Sequence, residues 1–245
     1  MNNATGKRLL ALIRDGDFAH PGEVAANELL FSGAQPDPRR RILDAGCGGG
    51  GTASWVQSRG LGAVTGIEID AATARLARER HPEVTIVEGD LQRAAEILDG
   101  PFDLIYSMTA LYAAPDQAAV FSQLRALASP CAELRLLEYA DPEGRFAERT
   151  SGNLSWGWWH PLAPRDLPEI LTAAGWTSLR IRDLHQEFVH WYGDLCSRID
   201  GKRDEIVRDF GRGWYDFVAS EYAGILGMVQ EQALGGVLVT AHASG

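Results

Sequence analysis

Cysteine is scarce in this chain, and long apolar runs are missing. Its 245 residues include only Cys47, Cys131 and Cys196. They are far apart and form no CxxC pair, so neither a disulfide framework nor a zinc site is expected. A reducing, cytoplasmic setting is. The N-terminal apolar run, Leu9 to Ile13, is too short for a secretory h-region or a bilayer span, and nothing later reaches spanning length. Basic residues are outnumbered, 23 against 33 acidic, for a formal net charge of -10. Such a surface repels phosphate backbones and anionic lipid, so nucleic acid and membrane are poor candidates for partners. Polybasic runs, internal repeats and low-complexity tracts are missing too. A small molecule remains as the expected partner, bound by a monomer or homodimer.

What is present is a rhythm. The first break is the proline-bearing loop Gln35 to Arg39, after a helical segment from Glu23 to Phe31. Then come β-like Arg41 to Ala45, a helix from Gly51 to Arg59, β-like Ala63 to Glu68, a helix over Ala71 to Arg80, and β-like Val84 to Val87. A short helix around Gln92 to Leu98, a strand at Phe102 to Ser107, a helix at Asp116 to Ala128 and a strand at Leu134 to Tyr139 follow. Apolar strands alternating with helices predict a parallel sheet covered on both faces. A helix over Pro164 to Ala174, a sixth strand at Trp176 to Arg182 and a seventh at Gly235 to Ala241 complete the pattern. The gap between the last two strands is far longer than a hairpin loop needs. Within it Trp214, Phe217, Val218, Tyr222, Ile225 and Val229 share one helical face. The gap therefore reads as helices forming an added cap. The mixed charges from Arg198 to Arg208 read as a solvated helix face.

The sharpest local signal is Asp44-Ala45-Gly46-Cys47-Gly48-Gly49-Gly50. Glycines let a backbone turn tightly at a strand's carboxyl end and approach a ligand closely, while the next helix offers free N–H groups and a positive dipole end. Alone, such a turn can equally be a packing device. Glu68 ends the second strand, where a carboxylate faces the turn across the crevice and can accept both hydroxyls of a ribose. Asp90 follows the third strand and can accept from an exocyclic amine. The bland alternatives are a solvated loop acid for Glu68 and a helix N-cap for Asp90. Gly46, Gly48 and Gly51 formally satisfy the dinucleotide GxGxxG spacing. Asp44 before the glycines, the GDL after strand three and the lack of a second nucleotide-binding half count against that reading.

ILDAGCGGG, VTGIEID, VEGDL and FDLIYSMTALYAA, in that order and spacing, resemble the successive motifs of Rossmann-like (class I) SAM-dependent methyltransferases. TAAGWTSLRI resembles the sixth strand and preceding helix of the same family. The resemblance covers Arg41 to Arg182 and again the last strand. It implies a Rossmann-like, mostly parallel seven-stranded α/β sheet with helices on both faces, its last strand antiparallel, and a helical cap insertion. The whole of 1–245 would form one S-adenosyl-L-methionine-binding domain, with an N-terminal helical lid over 1–35 and cap insertions at 141–165 and 184–234. By position, Asp44, Gly46, Cys47, Gly48 and Gly50 would form the turn beneath the methionine part of the cofactor. Glu68 would hold the ribose, with Ile69 against the adenine, Asp90 on the adenine amine and Leu91 flanking the ring. Ser107 and Met108 would face the sulfonium.

Methyl transfer needs alignment and exclusion of water more than a protein nucleophile. Tyr106, Tyr112, Glu138 and Tyr139 are the polar candidates nearest the strand ends, with Glu138 a base or a structural acid. The run Trp156-Gly157-Trp158-Trp159-His160 is the most unusual in the sequence, and aromatic faces attract ammonium and sulfonium groups. Trp156, Trp159, Tyr112 and Tyr192 are therefore substrate candidates, with helix packing as the alternative. His160 is a candidate base, and His20 and Gly22 lie in a segment similar to one that closes over the cofactor in related enzymes. The missing NPPY sequence argues against amide or nucleobase acceptors, and no acid cluster suggests a metal. The expectation is methyl transfer to a small molecule, an amine or amino-acid-like metabolite ahead of a phenol, giving S-adenosylhomocysteine. Cyclising or cleaving the cofactor, or binding it without turnover, are the alternatives.

Overall fold

A computed structural model describes residues 4–151 and 156–244. Residues 1–3 of the expected lid and 152–155 of the first expected cap insertion lie outside them. Two helices, α1 (Ala4–Arg14) and α2 (Glu23–Leu30), precede the sheet. Then β1 (Arg41–Ala45), α3 (Gly51–Ser58), β2 (Ala63–Glu68), α4 (Ala71–Arg80), β3 (Thr85–Glu88), the short α5 (Ala94–Ile97) and β4 (Phe102–Met108) alternate. They are followed by α6 (Gln117–Ala126), β5 (Ala128–Ala140), the single turn α7 (Phe146–Arg149), α8 (Leu167–Ala173) and β6 (Trp176–Asp183). Three consecutive helices, α9 (His185–Gly201), α10 (Arg203–Phe210) and α11 (Arg212–Gln230), lead into β7 (Gly235–Ala243).

The seven strands lie in the order β3-β2-β1-β4-β5-β7-β6. The pairings from β3 through β5 are parallel. The last strand runs antiparallel to both of its neighbours, β5 and β6. The sheet is buried on both faces because successive side chains point to opposite sides. Ile42 and Leu104 join a core with α1, α3, α4 and the helices α9 and α11. Leu43 and Ile105, one residue on, join a second core with α6, α8 and Trp176. The chain reverses direction in the strand order between β1 and β4. That switch point opens a crevice at the carboxyl ends of the strands.

Local chemistry sets the element ends. Asp70 caps α4 by accepting from the Thr73 N–H at 2.7 Å, and Asp116 caps α6 through the Ala119 N–H at 2.9 Å. The fifth strand starts earlier than the apolar run suggests. Ala128 pairs with Phe102 and Glu133 with Leu104, so a bulge lies between them, and Cys131 within it has φ 63. The ladder closes on both sides of a proline-containing irregularity that looks like a strand break in the sequence.

The gap before β7 is helical, as its periodicity implies. Val218, Tyr222, Ile225 and Val229 are buried, whereas Phe217, expected on the same face, is 41% exposed. The charged run from Arg198 to Arg208 is not simply solvated. Arg198 pairs with Glu23 at 3.1 Å, and the Lys202 ammonium donates to the Leu12 carbonyl at 2.7 Å and to Asp15. These bonds fasten α9 to the N-terminal segment. On its other side α9 packs on β7, with the Phe188 ring in the space a side chain at Gly236 would occupy. No helix among the described residues is long and apolar enough to cross a membrane.

A Cβ at Gly236 would lie 2.1 Å from that ring. Gly236→Val is therefore expected to cost about 2 kcal/mol or more through overpacking, measured as a lowered urea midpoint. A midpoint equal to the wild type would show that α9 does not rest firmly on β7.

Candidate functional site

The glycine turn follows β1 and is stitched to the second strand. Gly46 and Cys47 N–H groups both donate to the Ile67 carbonyl, at 3.1 and 3.0 Å. Gly46 has φ 90, and a Cβ there would lie 2.3 Å from the Ala110 methyl, so only glycine fits. The Glu68 carboxylate takes the Gly48 N–H on one oxygen at 3.0 Å and the Asp70 N–H on the other at 2.9 Å. Each oxygen retains a lone pair for a ligand.

These groups border a cavity of about 290 Å³ at the switch point. Gly46, Gly48, Glu68, Ile69, Asp90 and Leu91 line it, together with Thr73, Gln92, Met108 and Lys7. Asp90 caps the turn after β3, accepting from the Gln92 N–H at 2.9 Å, and borders the cavity as well. The cap expected as its bland alternative thus exists without removing it from the site. Ile69 is 67% exposed and open for an apolar ligand face.

Several candidates lie elsewhere. Asp44 is buried under the turn, accepting from the Tyr106 hydroxyl at 2.7 Å. Burial lifts its carboxyl to about 7 against the pull of that hydrogen bond. Asp44 and Cys47 border only a small recess behind the turn, with His20 and Thr52. Gly50 borders neither space. It has φ 82 and starts α3 where a side chain would press on His81. Tyr106 and Ser107 are fully buried. The Ser107 hydroxyl is within hydrogen-bond reach of the Ala45 carbonyl at 2.8 Å and the Glu138 carboxylate at 2.6 Å, so Ser107 does not face the cavity. Glu138 also accepts from the Ala110 and Leu111 N–H groups, at 3.2 Å each. It braces the loop after β4, is fully buried and does not line this cavity, which removes it as a base in contact with a ligand there. Desolvation raises it to about 7, against these hydrogen bonds.

A second cavity, also of about 290 Å³, adjoins the first. Lys7, Ala19, Thr109 and Tyr112 border both. Its walls are aromatic: Tyr112, Tyr139, Trp158, Trp159, Phe217 and Tyr222. Tyr112 lies 4.4 Å from Trp159 and 5.1 Å from Tyr139, ring centre to ring centre. Among the described residues that line it, Glu221 is the only carboxylate and Lys7 the only cation. Trp156 stands behind the wall, its indole N–H donating to Glu221 at 2.7 Å and its ring seated against Gly224. Tyr192 is buried with its hydroxyl against that of Tyr139, also outside the cavity. The His160 side chain is exposed. Its backbone N–H donates to the Tyr112 carbonyl at 2.7 Å, so it shapes the wall without lining it. His20 is buried with Nε2 2.9 Å from the Thr52 hydroxyl, and burial lowers it to about 4.

Sequence reasoning marked Trp158 only as part of the tryptophan-rich run and missed Lys7, Ala19, Thr109, Phe217, Glu221 and Tyr222. Lys7 had no motif around it. Glu221 and Tyr222 lie on a helix whose apolar stripe reads as core packing.

Residues 42–131 match the Methyltransferase domain family. Among curated proteins, the chain is 32% identical over 140 residues to a highly reducing polyketide synthase of Purpureocillium lilacinum, covering 50% of this chain and 5% of that one. It is 29% identical over 167 residues to trans-aconitate 2-methyltransferase of Azoarcus sp. (strain BH72), covering 65% of this chain and 62% of that one. Among solved structures, phosphoethanolamine N-methyltransferase 2 of Haemonchus contortus, in complex with phosphomonomethylethanolamine and S-adenosylhomocysteine, superimposes with a TM-score of 0.90. Sequence identity there is 20%, over 98% of this chain and 58% of that one. The chain thus spans less than two thirds of each of these relatives. Residues 42–131 carry a methyltransferase-domain match, and the fold of the chain is that of this solved methyltransferase.

The titration of Glu138 has a definite sign. A carboxyl at about 7 when folded and 4.5 when unfolded holds a proton that the unfolded chain releases between those values. Its contribution is complete below pH 4.5 and is lost as pH rises through 7. Asp44 acts in the same direction, and His20 in the opposite one below its ordinary value of 6.5. Urea unfolding of Glu138→Gln beside wild type is therefore expected to show a deficit larger at pH 5 than at pH 7.5, by about 1–3 kcal/mol. A deficit independent of pH would mean that Glu138 is ionised throughout.

Proposed function

We propose that this chain transfers the methyl group of S-adenosyl-L-methionine to a small molecule, with an amine-bearing acceptor preferred. The observation that carries the reading is the joining of two unlike cavities at Lys7, Ala19, Thr109 and Tyr112. One has a glycine turn, Glu68 and Asp90. The other is an aromatic chamber with a single carboxylate.

The first cavity fits an adenosyl amino acid. The turn allows no side chain at Gly46, whose Cβ position is taken by the Ala110 methyl, and the Gly46 backbone borders the cavity directly. In this reading Glu68 accepts from the ribose hydroxyls and Asp90 from the adenine amine, with Ile69 and Leu91 against the ring faces. Gly46 and Gly48 hold the amino-acid end, and Asp44 and Cys47 support the turn from below. When bound, the cofactor supplies a methyl group made electrophilic by a sulfonium centre.

The chamber supports an amine. Ring faces attract ammonium groups, and Glu221 adds a fixed negative charge. The position of Trp159 beside Tyr112 and Tyr139 supports direct contact with the acceptor. Trp156 and Tyr192 then act by holding Glu221 and Tyr139 in place. We further assign residues 1–35 as the lid and the segments 141–165 and 184–234 as the cap, because Lys7, Ala19, Trp159 and Tyr222 wall the chamber against water. The free thiols of Cys47, Cys131 and Cys196 support a cytoplasmic setting.

Calorimetry is expected to show S-adenosylhomocysteine binding to wild type, weakened about tenfold or more by Glu68→Gln, a loss of roughly 1.4 kcal/mol. Chromatography after incubation with S-adenosyl-L-methionine and a panel of amines is expected to show S-adenosylhomocysteine. Methylthioadenosine in its place would mean that the cofactor is cleaved. No binding by folded wild type would overturn the assignment.

A further inference from the structure

Nitrogen acceptors present a problem that none of the sequence candidates solves. An amine of ordinary basicity is an ammonium ion near neutral pH and has no lone pair to offer. Something at the meeting point of the two cavities must take its proton. Glu138 is sealed in the fold, His160 points outward, and Tyr106 is committed to Asp44. Of the four residues common to both cavities, only Lys7 and Tyr112 carry a titratable group. Burial raises the Tyr112 phenol well above its ordinary value, so it keeps its proton.

We propose that Lys7 is the general base of the reaction, an inference that rests on the methyl-transfer reading above. In the step, a proton passes from the acceptor's ammonium nitrogen to the neutral Lys7 amine. The broken N–H bond leaves its electron pair on the acceptor nitrogen, where it is free to form the new N–C bond. Lys7, now an ammonium, returns the proton to water between turnovers.

Three observations support this. Lys7 has no hydrogen-bond or ion-pair partner among the described residues, in a chain whose other cations are mostly paired. The contrast with Lys202 is direct, since that ammonium holds both the Leu12 carbonyl and Asp15. Composition adds a second argument. Of the 23 basic residues, all but Lys7 and Lys202 are arginine. An arginine at the junction would stay charged at any working pH, whereas a lysine can give up its proton. Third, burial at the junction pushes the Lys7 ammonium below its ordinary range. The carboxylates of Glu68 and Asp70 and the Cys47 thiol oppose this, and Arg14 on the same helix adds to it. From the chamber side Lys7 shares the cavity with Glu221, Tyr139 and Tyr222.

The competing role is a permanent cation that grips a carboxylate of the ligand, because Nζ lies 3.9 Å from where a Cβ on Gly48 would stand. Two lysines make the distinction accessible. Protein labelled with 13C at lysine Cε gives two signals, assigned by Lys202→Arg, and these are titrated from pH 6 to 11 with and without S-adenosylhomocysteine. Lys7 is expected to titrate below the ordinary lysine value of about 10.4 in both states, in the direction that burial drives it. A midpoint at or above that value in the complex overturns the proposal. Calorimetry on Lys7→Met is expected to give S-adenosylhomocysteine affinity within threefold of wild type. A tenfold loss assigns Lys7 to gripping the cofactor instead. Failure of wild type to bind S-adenosylhomocysteine sinks the methyltransferase reading itself, whatever the lysine signals do.

Discussion

The site depends on one carboxylate held between two backbone amides. Glu68 closes the end of the second strand onto the glycine turn through Gly48, and onto the start of the next helix through Asp70. Both donors sit where the chain leaves one element for the next. Gly48 has no side chain, and Asp70 precedes a helix whose first N–H groups lack intrahelical partners. The carboxylate thereby fixes how far apart the two walls of the crevice stand. The same oxygens face the cavity, so one residue both sets the spacing of the pocket and offers acceptors to whatever enters it.

Below that pocket the fold uses buried polar groups as braces. Asp44 with Tyr106, and Glu138 with Ser107 and two loop amides, lie on neighbouring strands under the crevice floor. A buried carboxylate is tolerated only when its lone pairs are filled. Here the filling groups come from different strands and from the loop after β4, so each acid ties separate pieces of chain together. Placing such acids at strand ends costs desolvation, seen in the rise of both to about 7. In return, Thr109, Ala110 and Tyr112 are held where the two cavities meet.

The aromatic chamber is assembled differently, from parts remote in sequence. Lys7 comes from the first helix, Trp158 and Trp159 from the segment after β5, and Glu221 and Tyr222 from α11. Ion pairs between Arg14 and Glu23, Arg198 and Glu23, and Lys202 and Asp15 hold these layers together. Gly22 lets the chain pass against the Trp191 ring, where any side chain would collide. The two cavities thus rest on separable structural units, one made by the sheet and one by the added helices.

By itself the sequence determined the alternating sheet, the glycine turn and the acids at the ends of the second and third strands. These are local: strand periodicity, positive-φ glycines and a carboxylate after a strand each leave a mark within a few residues. It also marked the tryptophan-rich segment as unusual. Only tertiary structure decided which polar groups face a ligand. Tyr106, Ser107 and Glu138 occupy promising positions at strand ends, yet their partners on adjacent strands turn them into internal braces. Lys7 and Glu221 carry no local signal, and they meet at one chamber because the first helix and α11 both pack over the same side of the sheet. Which face of a strand or helix finds a partner depends on residues far away in the chain, and that information is not written in any single stretch of it.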